Sequence, residues 1–535
     1  MAGELKPIGQ YDWSKGENTV TSPYLLRPDQ AQQAVNFLLD EHGSLRVRDG
    51  TLLQNVQSPN AARPIVKIWD LSVSGGGISY LAILAGINSG NPNSLYRRDT
   101  NPWTLIGNLT TYSLIPDIVN FTGAAIIATS DSEPLRSYDP STGFVVLAGA
   151  PNGQHVANHL NFLWAWNTNP TTVLASLIGP SSLQSSDLNR SDSWPATNQT
   201  YIARDDGTTG QGLAQYTIAE AGISPTATLL AFKDFSGYQV TNPFGSSFSV
   251  QKIKSDMGCV APRSIQFISG FGIIRLSHRG FALYDGVNDT LISEEERPRI
   301  FGRDQYNGLD WTQIQHCMSA QCANPPLYLC ACPTSGPSLT RMFVYDLVRR
   351  AWTVLNFPNS LATIQMILTA AQLPSVLGGD WDGGYVREYF AGATTDDGTA
   401  ITWNLRTRAY AAGSPAERSF WRRMLLTTYG FTAGTQIDAQ FFYSPIVPVQ
   451  FKSVSKTIPT VNAINPFLGF GLDPFGTSMF GATIEAIEDQ VLEFPIGAKA
   501  NNIQVNLSGS SQGRIRGVEL HQRQMPLTRS TYQGA

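Results

Sequence analysis

A tyrosine near the end of a short alternating strand, followed by Asp or a basic turn residue, recurs along this chain. A repeat of that kind restricts the fold more than any other feature of the sequence. The clearest copies are Ser94-Leu95-Tyr96-Arg97-Arg98-Asp99 leading to Trp103, Leu135-Arg136-Ser137-Tyr138-Asp139-Pro140, Phe281-Ala282-Leu283-Tyr284-Asp285-Gly286, and Met342-Phe343-Val344-Tyr345-Asp346 leading to Trp352. A looser copy is Gly384-Tyr385-Val386-Arg387-Glu388-Tyr389. Alternating apolar residues put one face of each strand in a core, and the Asp with its following Pro, Gly or basic pair suits a turn between antiparallel strands.

Taken at positions 96, 138, 284, 345 and 389, the tyrosines are 42, 146, 61 and 44 residues apart. The long step is close to three ordinary ones. Degenerate units fit inside it at Asn161-Phe162-Leu163-Trp164-Ala165-Trp166 and at Thr228-Leu229-Leu230-Ala231-Phe232-Lys233-Asp234. Units of roughly 40 to 60 residues holding several short strands are the signature of propeller blades, and no long helical period competes. With 48 Gly and 32 Pro and only 15% charged residues, composition favours turns and strands over helices. The chain therefore reads as all-β. Residues 1–59 form an extended segment with an opening β-hairpin, residues 60–400 a β-propeller of six blades with seven as the alternative, and residues 401–535 a β-sandwich-like module.

The sandwich reading rests on alternating strands at Ile401–Arg408, Phe420–Leu426, Asn502–Ser508 and Arg514–Leu520. Strands about 100 positions apart imply a long insertion, placed at about 445–495. It contains Phe470, Phe475 and Phe480, each followed by Gly. A period of five is neither strand nor helix, so these aromatics read either as an exposed or inter-subunit loop on Gly hinges or as a hydrophobic plug under the sandwich.

Net charge is −4, which gives no global attraction to nucleic acid. The charge is uneven: residues 401–535 carry +4 and residues 1–400 carry −8. Two basic stripes lie in the positive part, Arg406, Arg408, Arg418, Arg422 and Arg423 early and Arg514 and Arg516 late. They read as solvated sheet faces or as docking points for an acidic neighbour. The N-terminus carries no apolar signal segment and no stretch approaches the roughly 18 apolar residues of a membrane span, so a soluble protein made in a cytoplasm is expected.

Enzyme chemistry finds little support. Asp205-Asp206, Glu294-Glu295-Glu296, Asp380-Trp381-Asp382 and Asp396-Asp397 supply adjacent carboxylates, but most stand beside Gly as turn residues do. Asp380-Trp381-Asp382 is the most enzyme-like, since Trp can stack on a sugar. His155 and His159 lack the Glu of a zinc-protease motif, and neither a phosphate-binding loop nor a nucleophile elbow is present. Cys317, Cys322, Cys330 and Cys332 miss the paired spacing of a zinc knuckle and read as buried thiols on a strand, with zinc the alternative. No cofactor or metal is expected.

Three segments in order resemble the tail hub, nozzle or stabilisation proteins of short-tailed bacteriophages. The first runs from Gly16-Glu17-Asn18 through Leu25–Ala31 and Val35-Asn36-Phe37-Leu38-Leu39-Asp40 to Gly43-Ser44-Leu45-Arg46-Val47-Arg48-Asp49-Gly50, like the family's opening hairpin. The second, Met257–Ile265 with Gly272–Gly286, is similar to a blade of these virion proteins, with His278-Arg279 where members often carry a small or acidic residue. The third is the module from Trp403 to Leu520 with its aromatic-Gly loop.

That resemblance implies a structural, non-enzymatic virion protein, a homohexamer of about six copies around a channel for genome ejection. Its implied partners are further copies of itself, a head-to-tail adaptor, tail fibres or spikes, the host surface, and genomic DNA passing without sequence-specific binding. Met1–Tyr11 and Met525–Ala535 would latch neighbours, Phe470, Phe475 and Phe480 would gate the channel or form its tip, and Tyr96, Tyr138, Tyr284, Asp285, Tyr345 and Asp346 would be structural blade residues. The protein would be assembled in the bacterial cytoplasm and end in the virion tail. The competing readings are a propeller that binds or cleaves cell-surface glycans and a host-encoded propeller scaffold.

Overall fold

The tyrosines of the repeat mark equivalent places. In the computed structural model Tyr96, Tyr138, Tyr284, Tyr345 and Tyr389 all lie on the third strand of an antiparallel meander. The structure describes residues 5–524 except 41, 55–62, 71–79, 87–89, 99–102, 110–114, 169–180, 205, 219–225, 242–247, 304–305, 337, 369–372, 412–417, 444–447 and 460–488. The chain divides into two compact units, one of residues 51–348 and 357–391 and the other of residues 1–50, 349–356 and 392–535.

The larger unit is a β-propeller of seven blades among the described residues. Blade 1 is Ile65–Asp70, Tyr80–Leu84, Ser94–Arg98 and Thr104–Asn108. Blade 2 is Asp117–Phe121, Ala124–Ala128, Arg136–Asp139 and Gly143–Val146. Blade 3 is His155–His159, Phe162–Trp166, Ser182–Ser185 and Gln199–Tyr201. Blade 4 is Gly210–Ile218, Thr226–Lys233, Gly237–Thr241 and Ser249–Lys252. Blade 5 is Gln266–Ile268, Gly272–Ser277, Gly280–Tyr284 and Asp289–Leu291. Blade 6 contributes Met318–Cys322, Leu327–Ser335 and Leu339–Asp346 to this unit. Blade 7 is Leu361–Leu368, Pro374–Asp380 and Val386–Tyr389, completed by Thr51–Leu53 from far earlier in the chain.

First strands of successive blades touch, and that of blade 7 meets that of blade 1, which closes the ring. Apolar residues fill the gaps between blades: Leu81, Ile83, Ile118 and Ile127 between blades 1 and 2, Trp164, Trp166, Leu229 and Val240 between blades 3 and 4, and Ile65, Ala82, Ile367 and Leu377 at the closure. The expected count of six is corrected to seven, its alternative. The loose copy at Tyr385–Tyr389 is a full blade whose outer strand comes from the segment assigned to the opening hairpin.

The other unit is a β-sandwich. One sheet orders Phe37–Leu39, Leu45–Val47, Arg514–Gln524, Ser419–Tyr429 and Gln490–Ala500, with Lys6–Gln10 also paired to Arg514–Gln524. The second orders Ala351–Leu355, Gln33–Val35, Trp403–Ala411, Asn502–Gly509, Gln436–Tyr443 and Val449–Thr457. Their shared core includes Trp13, Phe37, Leu45, Trp403, Trp421, Phe441, Phe494, Val505 and Leu520. The N-terminal 50 residues are thus interleaved with the C-terminal module in one core. Lys6–Gln10 pairs with the chain's own strand instead of standing free as a latch, and residues 525–535 lie outside the described residues.

The hairpin motif has a clear physical role in that sandwich. Arg48 is 1% exposed and makes a two-pronged pair with Asp396, at 2.8 and 2.6 Å. Its Nε donates to Asn36 Oδ1 at 3.1 Å and its Nη2 to the Asn356 carbonyl at 2.9 Å. Asn36, at φ 63°, also accepts from the Asn356 amide at 2.7 Å and donates to the Thr402 carbonyl at 2.6 Å. Gly50 is required by close approach, because a Cβ there would stand 1.9 Å from the Thr395 carbonyl oxygen. Three stretches remote in sequence are pinned at one guanidinium.

Replacing Arg48 by Met strands the buried Asp396 carboxylate. The expected loss is about 3–5 kcal/mol in denaturant unfolding of the full chain. A double-mutant cycle with Asp396→Asn is expected to recover part of it, and simple additivity of the two losses would contradict the pairing.

Candidate functional site

The acidic doublets resolve into structural ion pairs. Asp206 accepts from the buried Lys233 ammonium at 2.5 Å, Glu296 lies 3.6 Å from Arg299, Asp380 accepts from Arg387 at 2.9 Å, and Asp396 holds Arg48. Burial outweighs the Arg387 attraction and pushes the Asp380 carboxyl up to about 6. Trp381 stands edge-on to the His316 ring, with centroids 5.3 Å apart. Asp205 lies outside the described residues.

The other singled-out residues are placed as follows. Tyr138, Tyr284 and Tyr345 are buried in the blades, as is Asp346, while Asp285 caps its turn by accepting from the amides of Val287 at 2.9 Å and Asn288 at 2.6 Å. Arg406 is buried, donating to Gln504 at 3.0 Å over the Phe442 ring, and a bulge between Arg406 and Ala409 breaks the regular alternation that spacing alone implied. Arg408 lies over Tyr410. Arg422 and Arg418 are exposed, and Arg423 pairs with Glu493 at 3.2 Å. Arg514 and Arg516 share a face, both over Tyr429, and pair with Asp40 at 2.8 Å and Asp489 at 2.9 Å. Much of the basic stripe is therefore neutralised within the chain. Phe470, Phe475 and Phe480 lie outside the described residues.

All five cysteines are buried free thiols, and no group of three metal-binding side chains is arranged for an ion among the described residues. Cys330 and Cys332 share a face with their sulfurs 3.6 Å apart. Burial raises the Cys317 and Cys332 thiols, keeping them protonated at neutral pH.

What sequence reasoning missed is a cluster on the propeller axis. Arg263, on the turn before blade 5, sends Nη1 to the carbonyl of Val66 on the first strand of blade 1, at 3.2 Å, and Nη2 to the Gln315 carbonyl before blade 6, at 3.3 Å. Blades 5 and 1 are not neighbours, so this side chain crosses the axis. Next to Val66, the Lys67 ammonium lies 5.2 Å from the Trp69 ring. Asp117, opening blade 2, accepts from the amides of Ile118 at 3.0 Å and Val156 at 3.2 Å, and its carboxylate is 3.9 Å from His155 Nδ1. Burial lowers Lys67, His155 and Arg263, the last to about 10, with Asp117 partly restoring each. Burial and the Arg263 charge bring His316 to about 4. Arg263 and His155 fell in segments the sequence had singled out, each for a different reason.

Away from the axis, a groove between blades 4 and 5 is lined by Leu213, Ala214, Gln215, Thr217, Ile265 and Phe267 and carries no titratable side chain. His159 ends the first strand of blade 3, about 13 Å along it from His155, too far to share an ion. It is fully buried with neither ring nitrogen bonded among the described residues, and burial lowers it to about 4.

No protein-family model and no curated protein matches this sequence. Among solved structures, BBS1N in complex with ARL6DN is similar at 11% identity and a TM-score of 0.41, covering 64% of this chain and 98% of that one. YCF48 bound to D1 peptide is similar at 11% identity and a TM-score of 0.37, covering 64% of this chain and 99% of that one. Both are β-propellers.

A histidine lowered in the folded state stabilises above its unfolded pKa of about 6.5, and that contribution is lost as pH falls toward about 4. His159 alone accounts for about 2 kcal/mol of lost stability between pH 7.5 and pH 5. The variant His159→Leu is expected to flatten the stability-pH profile over that window in urea titrations. An unchanged slope would contradict a neutral buried imidazole.

Proposed function

We propose that this protein is a non-enzymatic structural component of the tail of a short-tailed phage, a ring-forming hub or nozzle around the genome's exit channel. The reading rests on the resemblance of the opening hairpin, the blade at Met257–Gly286 and the C-terminal module. The observation that carries ring formation is that both sandwich sheets end, among the described residues, in long strands with no further ladder partner, Val449–Thr457 in one and Gln490–Ala500 in the other, which meet each other where Lys452 donates to the Ile496 carbonyl. An unpaired strand edge is a template for another chain, and here Val449 and Val491 are 55% and 57% exposed beside those edges. Of the charges beside these edges, Asp489 and Glu493 are paired with Arg516 and Arg423 and Lys452 donates to the Ile496 carbonyl at 2.9 Å, which leaves the exposed Lys456 to meet an acidic group of a neighbouring copy. Adaptor, fibres or spikes, the host surface and passing DNA remain the partners this role implies, in a virion tail assembled in the bacterial cytoplasm.

Light scattering with negative-stain images of the native protein, alone and with adaptor, tests the reading. A ring of about six copies is expected, and the double variant Val449→Lys, Val491→Lys is expected to weaken assembly about tenfold or more. A monomer under all conditions, with sugar affinity lost on changing Trp381 or Asp382, would replace the hub with the glycan-binding alternative.

A further inference from the structure

A meander of four strands returns the chain to the end from which it started, so the first strands of successive blades run the same way and open at one mouth. Asp117 and His155 begin their strands there, and Arg263 and His316 lie just before theirs. Two cations at this mouth form no salt bridge among the described residues. Lys67 makes no ion pair or hydrogen bond among the described residues beyond its approach to Trp69. Arg263 spends two N–H groups on main-chain carbonyls, which carry no charge, and forms no salt bridge among the described residues.

The carboxylate in the cluster is already engaged. Asp117 takes two backbone amides and faces His155, so it serves these cations only at longer range. A buried nitrogen, His316 Nδ1, has no hydrogen-bond partner among the described residues, and its residue follows the Gln315 whose carbonyl holds Arg263. Unpaired cationic donors in a half-buried mouth are costly when empty, and an oxyanion satisfies them. With both histidines neutral, Lys67, Arg263 and Asp117 leave one net positive charge. A monoanion balances it, whereas a dianion leaves a negative excess beside Asp117.

We propose that the axial mouth of the propeller binds a carboxylate, held between Lys67 and Arg263 with His316 Nδ1 donating to it. The carboxylate belongs either to a free organic acid or to an acidic side chain of a polypeptide. The site uses residues of one propeller and does not depend on the ring or the tail role.

Thermal melts of the full chain at constant ionic strength, with acetate replacing chloride, test the free acid, and hexaglutamate in the same buffer tests the polypeptide source. A rise in Tm of about 2 °C is expected near tenfold excess over Kd with one or both probes. Lys67→Met keeps an apolar stem against Trp69 and removes the charge, so the shift is expected to vanish in that variant while its own Tm without ligand stays close to that of the parent. A response to acetate alone assigns a free acid, and one to hexaglutamate alone assigns a chain. No shift with either probe, an equal shift in Lys67→Met, or a larger shift with phosphate than with acetate overturns the proposal.

Discussion

Arg48 is the contact on which the sandwich depends. A guanidinium out of water is costly unless every donor is matched, and here a two-pronged carboxylate, an amide side chain and two carbonyls match it. The partners come from residues 36, 49, 356 and 396, so the pair forms only when three separate stretches of the chain have met. Apolar burial drives those stretches together without fixing their order. The buried pair selects the arrangement in which the hairpin sits between Asn356 and Asp396.

The same device recurs in the propeller. Arg275 is buried against Asp289 and donates to the carbonyls of Gly258 at 3.0 Å and Met257 at 2.7 Å, with Phe232 stacked 4.3 Å away. Gly258 leaves no alternative to glycine, since a Cβ would stand 2.0 Å from the Lys233 carbonyl oxygen. Lys233 in turn donates to Asp206 and to the Ala203 carbonyl. With charged residues this scarce, a sizeable share of them act as buried staples between loops and blades, and the acidic doublets that resemble catalytic pairs belong to that group.

Legibility in the sequence followed periodicity. Tyr96, Tyr138, Tyr284 and Tyr345 are found because the third strand of a blade repeats one pattern, half-buried and closed by a turn. Blade 3 escapes that pattern because its third strand, Ser182–Ser185, carries Leu183 in place of a tyrosine. Blade 7 is hard to count because its last strand, Thr51–Leu53, lies more than 300 residues before the rest. The axial cluster has no local signature at all. Lys67, Asp117, His155, Arg263 and His316 each look like one polar residue beside a strand, and only ring closure brings them together. For the arginines at 406 and 408, a β-bulge defeats the rule of two that placed them on one face.

The strut from Arg263 to Val66 also bears on what the proposed hub can conduct. A side chain that bonds the far wall of the ring, with a second bond to Gln315, leaves the propeller axis obstructed at that level. On the proposed role a duplex would therefore pass between subunits and not through the propeller's own hole. Within one chain, the edges suited to pairing are the sandwich strands of 9 and 11 residues, whereas the outer strands of blades 1 to 5 run only three to five residues. The proposed ring is argued from the sandwich and the proposed axial site from the propeller, so a result against one leaves the other standing.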